Sequence, residues 1–409
     1  MSHAGALSGI RVLDLSRVLA GPVCAQLLAD LGADVIKVER PGVGDDTRHW
    51  GPPWLLDSDG NETAEASYYL CANRGKRSIT IDIGTDEGVE LVKQLAAKSD
   101  IVIENFKVGG LAKKGLDYEG IRAIKPDIIY ASITGFGQDG PMAHQPGYDY
   151  LAQAMGGMMS VTGRADGEPG AGPIRAGIAT ADQTSGMYAT VGILAALRHR
   201  DQTGEGQYID VSLFDSQLSF MANQALNYFV GGTPPTRSGE WHPNLAPYQP
   251  FDVADGRVIV AVGNNGQFAA LCGWLGLDEV PTDPRFAENP DRNSNRVALA
   301  ELLQAQLITK TRDEVLDALP ELGVPAAKIN DLAEAFDEPQ AKHRGGRVDL
   351  PHAQAGTAPG IANPLHMSAS PITYRNAPPT LGEHTDEVLK RDLGLSDTQV
   401  DELRSQNIV

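Results

Sequence analysis

Residues 10–39, IRVLDLSRVLAGPVCAQLLADLGADVIKVE, decide the fold of the first part of the chain. IRVLDLS, at residues 10–16, is a short apolar run that predicts a buried strand, and ADVIKVE, at 33–39, predicts a second one. The segment between them has helical periodicity, with Pro22 near its start and Gly32 at its end. Strand, helix and strand in this order form a βαβ unit, whose two strands are expected to be parallel.

The same alternation continues along the chain. SITIDI (78–83), DIVIENF (100–106) and DIIYASITGFG (127–137) predict further strands. TDEGVELVKQLAAKS predicts a helix that Thr85 opens, with two acidic residues in its first turn, and LDYEGIRAIKP predicts another helix. We therefore expect an α/β fold with a large, Rossmann-like, doubly wound domain.

The composition changes from about residue 225. YFVGGTPPTRSGEWHPN is rich in Gly and Pro and predicts a linker or a long loop. PYQPFDVADGRVIVAVG predicts a hairpin with its turn at 254–256, and two helical patterns follow, GQFAALCGWLG and NRVALAELLQAQLITKT. We predict a large domain at 1–224, a small α+β domain at 225–325, and a C-terminal segment at 326–409 that returns to the large domain and ends in a last helix at TDEVLKRDLG.

Charge and composition exclude several classes of protein. The net charge of −19 over 409 residues argues against nucleic acid or an anionic membrane as a partner. No apolar run has the length of a membrane span, and the N-terminus lacks the pattern of a signal peptide. Cys24, Cys71 and Cys272 lie far apart, which predicts neither a disulfide framework nor a zinc site and suits a cytoplasmic protein. No metal-binding spacing occurs among His144, His199, His242 and His384.

Positive charges are nevertheless concentrated in a few places. NRGKRS (73–78) carries three cations and no acid, ENFKVGGLAKKG carries three lysines, and Arg40 follows the second predicted strand. Ligands of open α/β sheets bind at the carboxyl ends of the strands, so a cationic edge there favours a phosphorylated ligand, with Phe106 available to stack on a base. Taken one residue at a time, ordinary solvated Lys and Arg side chains explain the pattern better.

The usual nucleotide and hydrolase motifs are missing. The first predicted turn, SRVLAGP, lacks GxGxxG, although Glu39 stands where a ribose-binding acid would be, so a nicotinamide dinucleotide is disfavoured. No GxSxG is present, which removes support for a hydrolase triad. GNNG, at 263–266, fits either a mobile flap or a simple turn, with the turn slightly favoured.

A single carboxylate precedes a long run of small and apolar residues in GIATADQTSGMYATVGILAAL (177–197). Asp182 is either the N-cap of a helix or a nucleophile. Its sequence neighbours alone leave both hypotheses open.

Considered together, these segments resemble family III CoA-transferases, the CaiB/BaiF group that includes formyl-CoA transferase and carnitine CoA-transferase. The resemblance covers essentially the whole chain, and within the family it is strongest to the succinyl-CoA:glutarate type, through PYQPFDVADGRVIVAVGNNGQF. It rests on the order and spacing of LSGIRVLDLSRVLAGPVCAQLLADLGADVIKVERPGVGDDTR, NRGKRSITIDI, DIVIENF, IIYASITGFGQDGP, GYDYLAQAMGG, ADQTSGMYATVGILAAL, TGEGQYIDVSLFDS and LGEHTDEVL.

The resemblance implies a function and a site. Asp182 would be the nucleophile, passing through an aspartyl anhydride and an aspartyl-CoA thioester while CoA moves from an acyl-CoA to a small carboxylic acid. A placed and desolvated carboxylate can attack a thioester, and the helix N-terminus is expected to keep Asp182 ionised. CoA is then a substrate rather than a tightly bound cofactor, and the family forms homodimers of interlocked rings. Matching positions for CoA contacts are Val18, Arg40, Ile81, Asn105, Phe106, Lys107, Lys113 and Tyr148.

One departure from the family pattern bears on the substrate. Formyl-CoA transferase has a His before the Val of its first loop, and this chain has Arg17 there, which indicates a larger, acidic acyl group. Arg17, Arg175 and His242 are candidates to bind the distal carboxylate of a dicarboxylic acid.

Two other functions compete with CoA transfer. Racemases of the same family use the His of a GHD motif as an α-proton base, whereas this chain has GYD, with Tyr148 in that place, and Tyr is a poor base near neutral pH. A CoA-binding protein without catalysis is the third possibility, which the intact Asp182 motif disfavours.

Overall fold

The computed structural model describes residues 5–409, and its regular elements follow the chain in an alternating order. In chain order the strands are β1 (Arg11–Asp14), β2 (Asp34–Glu39), β3 (Trp54–Leu56), β4 (Glu62–Ala66), β5 (Lys76–Thr80), β6 (Ile101–Glu104), β7 (Ile129–Thr134), β8 (Tyr208–Ser212), β9 (Tyr248–Val253), β10 (Gly256–Ala261), β11 (Ala326–Lys328), β12 (Arg347–His352) and β13 (Gly356–Ile361).

Helices connect most of these strands, and short 3-10 turns lie at Asp46–His49, Ala112–Lys114 and Val280–Thr282. The α-helices are α1 (Ala20–Asp30), α2 (Ser67–Leu70), α3 (Asp86–Ala97), α4 (Tyr118–Ile124), α5 (Asp149–Met155), α6 (Met158–Val161), α7 (Thr180–Thr203), α8 (Leu213–Phe220), α9 (Ala222–Gly231), α10 (Asn265–Trp274), α11 (Asn289–Ser294), α12 (Arg296–Leu307), α13 (Arg312–Glu321), α14 (Leu332–Asp337), α15 (Pro339–His343), α16 (Thr385–Leu393) and α17 (Asp397–Ser405).

A six-stranded parallel sheet in the order β5-β2-β1-β6-β7-β8 confirms the predicted α/β fold. Successive residues of a strand point to opposite faces, so Val12 packs into one core with α1 and α7, while Leu13 packs into another with α3 and α16. Helices therefore cover both faces of the sheet. Because the strands are parallel, their carboxyl ends meet at one edge, and the loops after β1, β2, β6 and β7 converge there.

The predicted helix start at Thr85 is confirmed. Thr85 caps α3 by accepting a hydrogen bond from the N–H of Gly88 at 3.0 Å. The tail prediction is wrong, because α16 is followed by α17. Ser396 and Gln399 form a capping box at its start, and this S-x-x-Q pattern is visible in the sequence. The predicted loop beginning at residue 228 is also corrected, since 228–231 complete α9 and the irregular segment begins at Gly232, with a φ of 72°.

The chain divides into two compact units. Among the described residues, the large unit comprises 5–158, 176–231 and 339–409, and the small unit comprises 159–175 and 232–338. The sequence-based boundaries were 224/225 and 325/326, and the segment 159–175 had been assigned to the large domain. This segment has no strand or long helix of its own, so nothing in its periodicity indicates the unit in which it packs.

The small unit contains the predicted hairpin. Strands β9 and β10 pair in antiparallel register with Val253 opposite Gly256, and β11 completes a three-stranded sheet. The segment 263–266 leads into α10, where the Asn264 side chain accepts a hydrogen bond from the N–H of Gln267 at 2.9 Å. This segment is therefore the start of a helix as much as a turn. In residues 5–409 no helix is long and apolar enough to cross a bilayer.

Candidate active site

Asp182 lies in the first turn of α7, but it does not cap the helix. Asp149, the first residue of α5, accepts hydrogen bonds through Oδ1 from the N–H of Ala181 at 2.8 Å and from the N–H of Asp182 at 3.4 Å. These are the unpaired donors that an N-cap normally satisfies. The N-cap hypothesis for Asp182 is therefore wrong, and its carboxylate is left for another task.

Gln153 fixes the loop that leads to Asp182. Its buried amide donates to Asp149 Oδ2 at 2.6 Å and to the carbonyl of Ile178 at 3.1 Å, and it accepts from the N–H of Ala176 at 2.9 Å. One side chain thus ties α5 to the segment before α7. The small residues of this segment are held in place without covering the carboxylate.

The electrostatic surroundings of Asp182 are unusual for a carboxylate. Burial, followed by the nearby Asp149 carboxylate, raises the pKa of Asp182 to about 7, and a hydrogen bond with the backbone N–H of Ala20 opposes the rise. Ala20 is the first residue of α1, so two helix N-termini face Asp182. With a pKa of about 7, Asp182 is ionised less fully at neutral pH than the helix N-terminus alone would predict, because desolvation and a like charge outweigh the helix dipole.

The loop between β1 and α1 forms another part of the site. Val18 has a φ of 70°, in the left-handed region that β-branched residues avoid. The Asn105 side chain holds the neighbouring Arg17 backbone on both sides, accepting from its N–H at 2.9 Å and donating to its carbonyl at 2.6 Å. Asn105 therefore shapes the loop with the amide that was predicted to contact CoA.

Asp182 and most of the predicted CoA contacts line one cleft of about 380 Å³. Arg17 lies in it, half exposed, paired with Asp46 at 3.1 Å and stacked over the Phe106 ring at 5.4 Å. His144, for which the sequence predicts no metal-binding role, also lines this cleft. The sequence-predicted residues in the cleft are Arg17, Val18, Asn105, Phe106, Lys107, Tyr148 and Asp182.

The other predicted contacts lie in a neighbouring cavity or outside both. A cavity of about 270 Å³ is lined by Arg40, Ile81 and Phe106, and it shares Arg17 and Phe106 with the cleft. Ile81 is buried and Arg40 is exposed. Lys113 lies in the 3-10 turn Ala112–Lys114, is exposed, and lines neither space.

The segment NRGKRS does not form a ligand-binding surface. Its three cations are buried in ion pairs, Arg74 with Asp30 at 2.6 Å, Lys76 with Asp14 at 2.9 Å, and Arg77 with Asp34 at 2.7 Å. The interpretation of this segment as part of a cationic edge is wrong. Sequence alone does not distinguish cations buried in ion pairs from cations that bind a ligand, because the acidic partners lie between 43 and 62 residues away.

Glu39 is likewise occupied by structural partners. Its carboxylate accepts from Arg48 at 2.8 Å, from the Ser78 hydroxyl at 2.6 Å and from the N–H of Asp45 at 2.9 Å. It is 4% exposed, so it has no lone pair directed at a ribose. The acid that suggested a dinucleotide site is a packing residue.

The candidates for a distal carboxylate separate between the two units. Arg17 lines the cleft with Asp182, whereas Arg175 and His242 belong to the small unit. His242 Nδ1 accepts from the N–H groups of Asn244 and Leu245, both at 3.1 Å. Burial and the charge of Arg296 lower the pKa of His242, so at neutral pH it lacks the positive charge that carboxylate binding needs.

Comparison with known proteins agrees with this geometry. The family model described as CoA-transferase family III matches residues 7–385. A succinate–glutarate CoA-transferase from Agrobacterium fabrum is 49% identical over 94% of both chains. A succinyl-CoA:mesaconate CoA-transferase from Haloarcula marismortui is 41% identical over 94% of this chain and 96% of the relative.

A solved structure extends the likeness to three dimensions. A CaiB/BaiF family protein from Brucella suis superposes with a TM-score of 0.83 at 47% identity, over 95% of this chain and 100% of that one. The family resemblance seen in the sequence motifs is thereby confirmed, and a CoA thioester is a substrate of such enzymes. The chain belongs to CoA-transferase family III and is an enzyme of that family.

Proposed function

We propose that this enzyme moves CoA from succinyl-CoA to a five-carbon dicarboxylic acid such as glutarate, with Asp182 as the covalent nucleophile. The observation that carries the proposal is the setting of Asp182. Its carboxylate lies in a cleft, partly buried, and its helix is capped by Asp149 instead. A desolvated carboxylate without a structural task is suited to nucleophilic attack.

The transfer proceeds in four steps that conserve the thioester. An Asp182 oxygen attacks the acyl carbon of succinyl-CoA, the C–S bond breaks, and a mixed anhydride and CoA thiolate form. The thiolate attacks the Asp182 side-chain carbonyl carbon and releases succinate, leaving an aspartyl-CoA thioester. The acceptor carboxylate attacks that carbon and expels CoA thiolate. The thiolate then attacks the acceptor acyl carbon, which gives the new acyl-CoA and regenerates Asp182.

Two of these steps place negative charge on the Asp182 carbonyl oxygen. Ala20 lines the cleft together with Asp182, and its backbone N–H lowers the pKa of the Asp182 carboxyl group against the effect of burial. As the first residue of α1, it has no acceptor within its own helix. We assign this N–H as a donor to the oxyanion, where a preorganised donor contributes most.

Arg17 is proposed to bind the distal carboxylate of the dicarboxylic substrate. It lines the cleft, and its ion pair with Asp46 is 42% exposed on both sides, so exchanging one carboxylate for another costs little. Both relatives described above are named for succinate or succinyl-CoA and a five-carbon diacid. Arg17→Met should lower kcat/KM for glutarate at least tenfold and leave that for the monoacid valerate within about twofold. Equal losses with both acids would remove Arg17 from this role.

The remaining predicted contacts are assigned to CoA. Arg40, Lys107 and Lys113 are exposed cations suited to its phosphates, and Phe106 separates the cleft from the neighbouring cavity. Val18, Ile81, Asn105 and Tyr148 complete the predicted set.

A homodimer is proposed because apolar side chains of α7 and α9 face solvent in the single chain. On α7, Met187 is 49% and Val191 63% exposed, and on α9, Phe229 is 72% and Val230 85% exposed. Exposed apolar side chains concentrated on a helix favour an interface, and a helix that is apolar on most sides is normally buried. The interlocked arrangement of the family fits a second copy on these faces. Light scattering during gel filtration should give twice the mass of the chain, and a monomer at micromolar concentration would contradict the proposal.

Intact mass measurement after brief mixing with succinyl-CoA tests the nucleophile. The wild type should gain CoA less water, and Asp182→Ala should not, while still binding CoA by calorimetry. An adduct on Asp182→Ala would exclude this nucleophile. CoA binding without adduct or transfer in the wild type would instead indicate a binding protein.

Racemisation of an α-methylacyl-CoA is the second candidate, favoured by one observation. His144, a possible α-proton base, lines the same cleft as Asp182, although Tyr148 replaces the motif histidine. Exchange of the α-proton in deuterated water, without transfer to any acid and lost in His144→Ala, would establish it. Transfer without such exchange would exclude it.

A further inference from the structure

The loop at residues 16–20 is held in a conformation that its own residues disfavour. Val18 is β-branched and has a φ of 70°. A β-branched residue in the left-handed region is strained and persists only where the surroundings impose that conformation. The loop ends at Ala20, which lines the cleft together with Asp182 and whose backbone N–H lowers the pKa of the Asp182 carboxyl group. The groups that impose this conformation therefore also determine where that N–H points.

A buried ion pair beneath the loop supplies these groups. Lys37 Nζ lies 2.9 Å from Asp45 Oδ2, and neither side chain is exposed. Asp45 accepts from the N–H of Val18 through both oxygens, at 3.2 and 3.3 Å. Lys37 donates to the carbonyl of Ser16 at 2.8 Å. The pair thus contacts the backbone on both sides of Arg17.

We propose that Lys37 and Asp45 are positioning residues of the transfer reaction, which hold loop 16–20 so that the Ala20 N–H is aimed at the reacting carbonyl of Asp182. The inference rests on the proposed function, because it assumes that Asp182 is acylated. Neither residue lines the cleft that contains Asp182, although Asp45 lines the neighbouring cavity beside Arg40 and Ile81. They act through the backbone of Ser16 and Val18.

Stability alone does not account for such a pair. Removing two charges from water costs several kcal/mol per ion, and a well-packed apolar pair of similar volume is often equally stable. What an apolar pair does not supply is an acceptor for the Val18 N–H and a donor for the Ser16 carbonyl. Asp45 is itself aligned, since the Thr47 hydroxyl donates to its Oδ1 at 2.8 Å. The geometry fits a device that orients a backbone N–H, for which small displacements cost large factors in rate.

The test compares Asp45→Asn with Asp30→Asn. Asp30 pairs with Arg74 at 2.6 Å, is 2% exposed, and lies at the end of α1, where it contacts neither the loop nor the cleft. Both variants leave a buried cation without its carboxylate, so both should lower Tm. Asp45→Asn should also lower kcat about 10²-fold with KM for succinyl-CoA within threefold, whereas Asp30→Asn should keep kcat within twofold. Equal kcat values for the two folded variants would overturn the proposal.

Two further variants separate positioning from folding. Val18→Gly removes the penalty on the left-handed conformation, so in the Asp45→Asn background it should restore at least part of kcat. No restoration would contradict a role through the loop. If Asp45→Asn does not fold, Thr47→Val, which removes only the aligning hydroxyl, should lower kcat about fivefold at unchanged KM. A kcat within twofold of the wild type would then refute the inference. A wild type inactive in transfer would count against the proposed function instead.

Discussion

Two groups of carboxylates near the carboxyl edge of the sheet are treated in opposite ways. Below the loop 16–20, Asp14, Glu39 and Asp45 are buried against Lys76, Arg48 and Lys37. In the cleft, Asp182 has Asp149 as a charged neighbour, and no cation of residues 5–409 lies within ion-pairing distance of it. The same kind of side chain is thus stabilised in one place and left uncompensated in the other.

The pKa values follow this difference. Burial raises the pKa of a carboxylate in both places, but in the first group the cations outweigh burial, and Lys37 and Thr47 bring the pKa of Asp45 down to about 2. At Asp182 nothing outweighs it, and the pKa rises to about 7. The cluster below the loop therefore stabilises the fold at neutral pH. Ionised Asp182 instead lowers the stability of the fold, which is typical of carboxylates at functional sites.

The largest expected effect comes from breaking the paired group. Arg48 binds Glu39 at 2.8 Å and Glu65 at 2.7 Å, so Arg48→Met leaves two buried carboxylates facing each other. We expect a loss of about 3–5 kcal/mol in the free energy of unfolding, measured by denaturant titration. Arg257→Met, which breaks an exposed pair with Glu240 at 2.7 Å, is the control and should cost less than about 1 kcal/mol. Similar losses for both variants would show that the buried ion pairs contribute no more to stability than the exposed pair.

The unpaired group should respond with the opposite sign. The folded state holds a proton on Asp182 up to a pH of about 7, whereas the unfolded state releases it near 3.8, so the wild type loses stability as pH rises between these values. Asp182→Asn removes this loss. It should match the wild type at pH 4 and exceed it by up to about 4 kcal/mol at pH 8.

Asp45→Asn provides the opposite case, because the pKa of the Asp45 carboxyl group in the wild type is lowered rather than raised. Its stabilisation is lost as pH falls from 3.8 to about 2 and is complete above 4. The variant should therefore be less stable than the wild type by about 2 kcal/mol throughout pH 5–8. Thermal unfolding of both variants across pH shows whether each substitution raises or lowers stability relative to the wild type. A stabilising effect of Asp182→Asn that did not grow with pH would contradict the titration of this group.

The sequence predicts the local features of this comparison and misses the distant ones. Apolar runs and capping residues such as Thr85 lie within a few positions of one another, so most of the parallel sheet and helices such as α1, α3 and α12 follow from pattern. The role proposed for Asp182 comes from its motif. Asp149 as the cap of α7 does not, because a cap supplied from 33 residues away leaves no local signal.

Burial of charge is likewise invisible in composition. Arg74, Lys76 and Arg77 look like a solvated cationic segment until the fold brings acids from α1, β1 and β2 beside them. The strained φ of Val18 is also undetectable, because Val favours strands and gives no sign of a left-handed turn. Sequence thus predicts a candidate nucleophile, while the electrostatic surroundings of that carboxylate depend on contacts between distant segments.

The smallest expected effect separates the two causes of the raised pKa of Asp182. If the carboxylate is the nucleophile, kcat/KM should fall about tenfold per pH unit below about 7 and level off above it, because only the ionised form attacks. Asp149→Asn keeps an oxygen for the N–H groups of Ala181 and Asp182 but removes the like charge, so the falling limb should move to lower pH.

Burial raises the pKa of Asp182 more than the charge of Asp149 does. In the Asp149→Asn variant, the pH below which kcat/KM falls should therefore remain well above 4. Asp139→Asn, an exposed residue outside the cleft, makes the same change in net charge and should leave the profile in place. Profiles measured with saturating acceptor between pH 5 and 8.5 distinguish the three proteins. A limb that moved equally in both variants would mean that the overall charge of the protein, and not the pairing of two carboxylates in the cleft, controls Asp182.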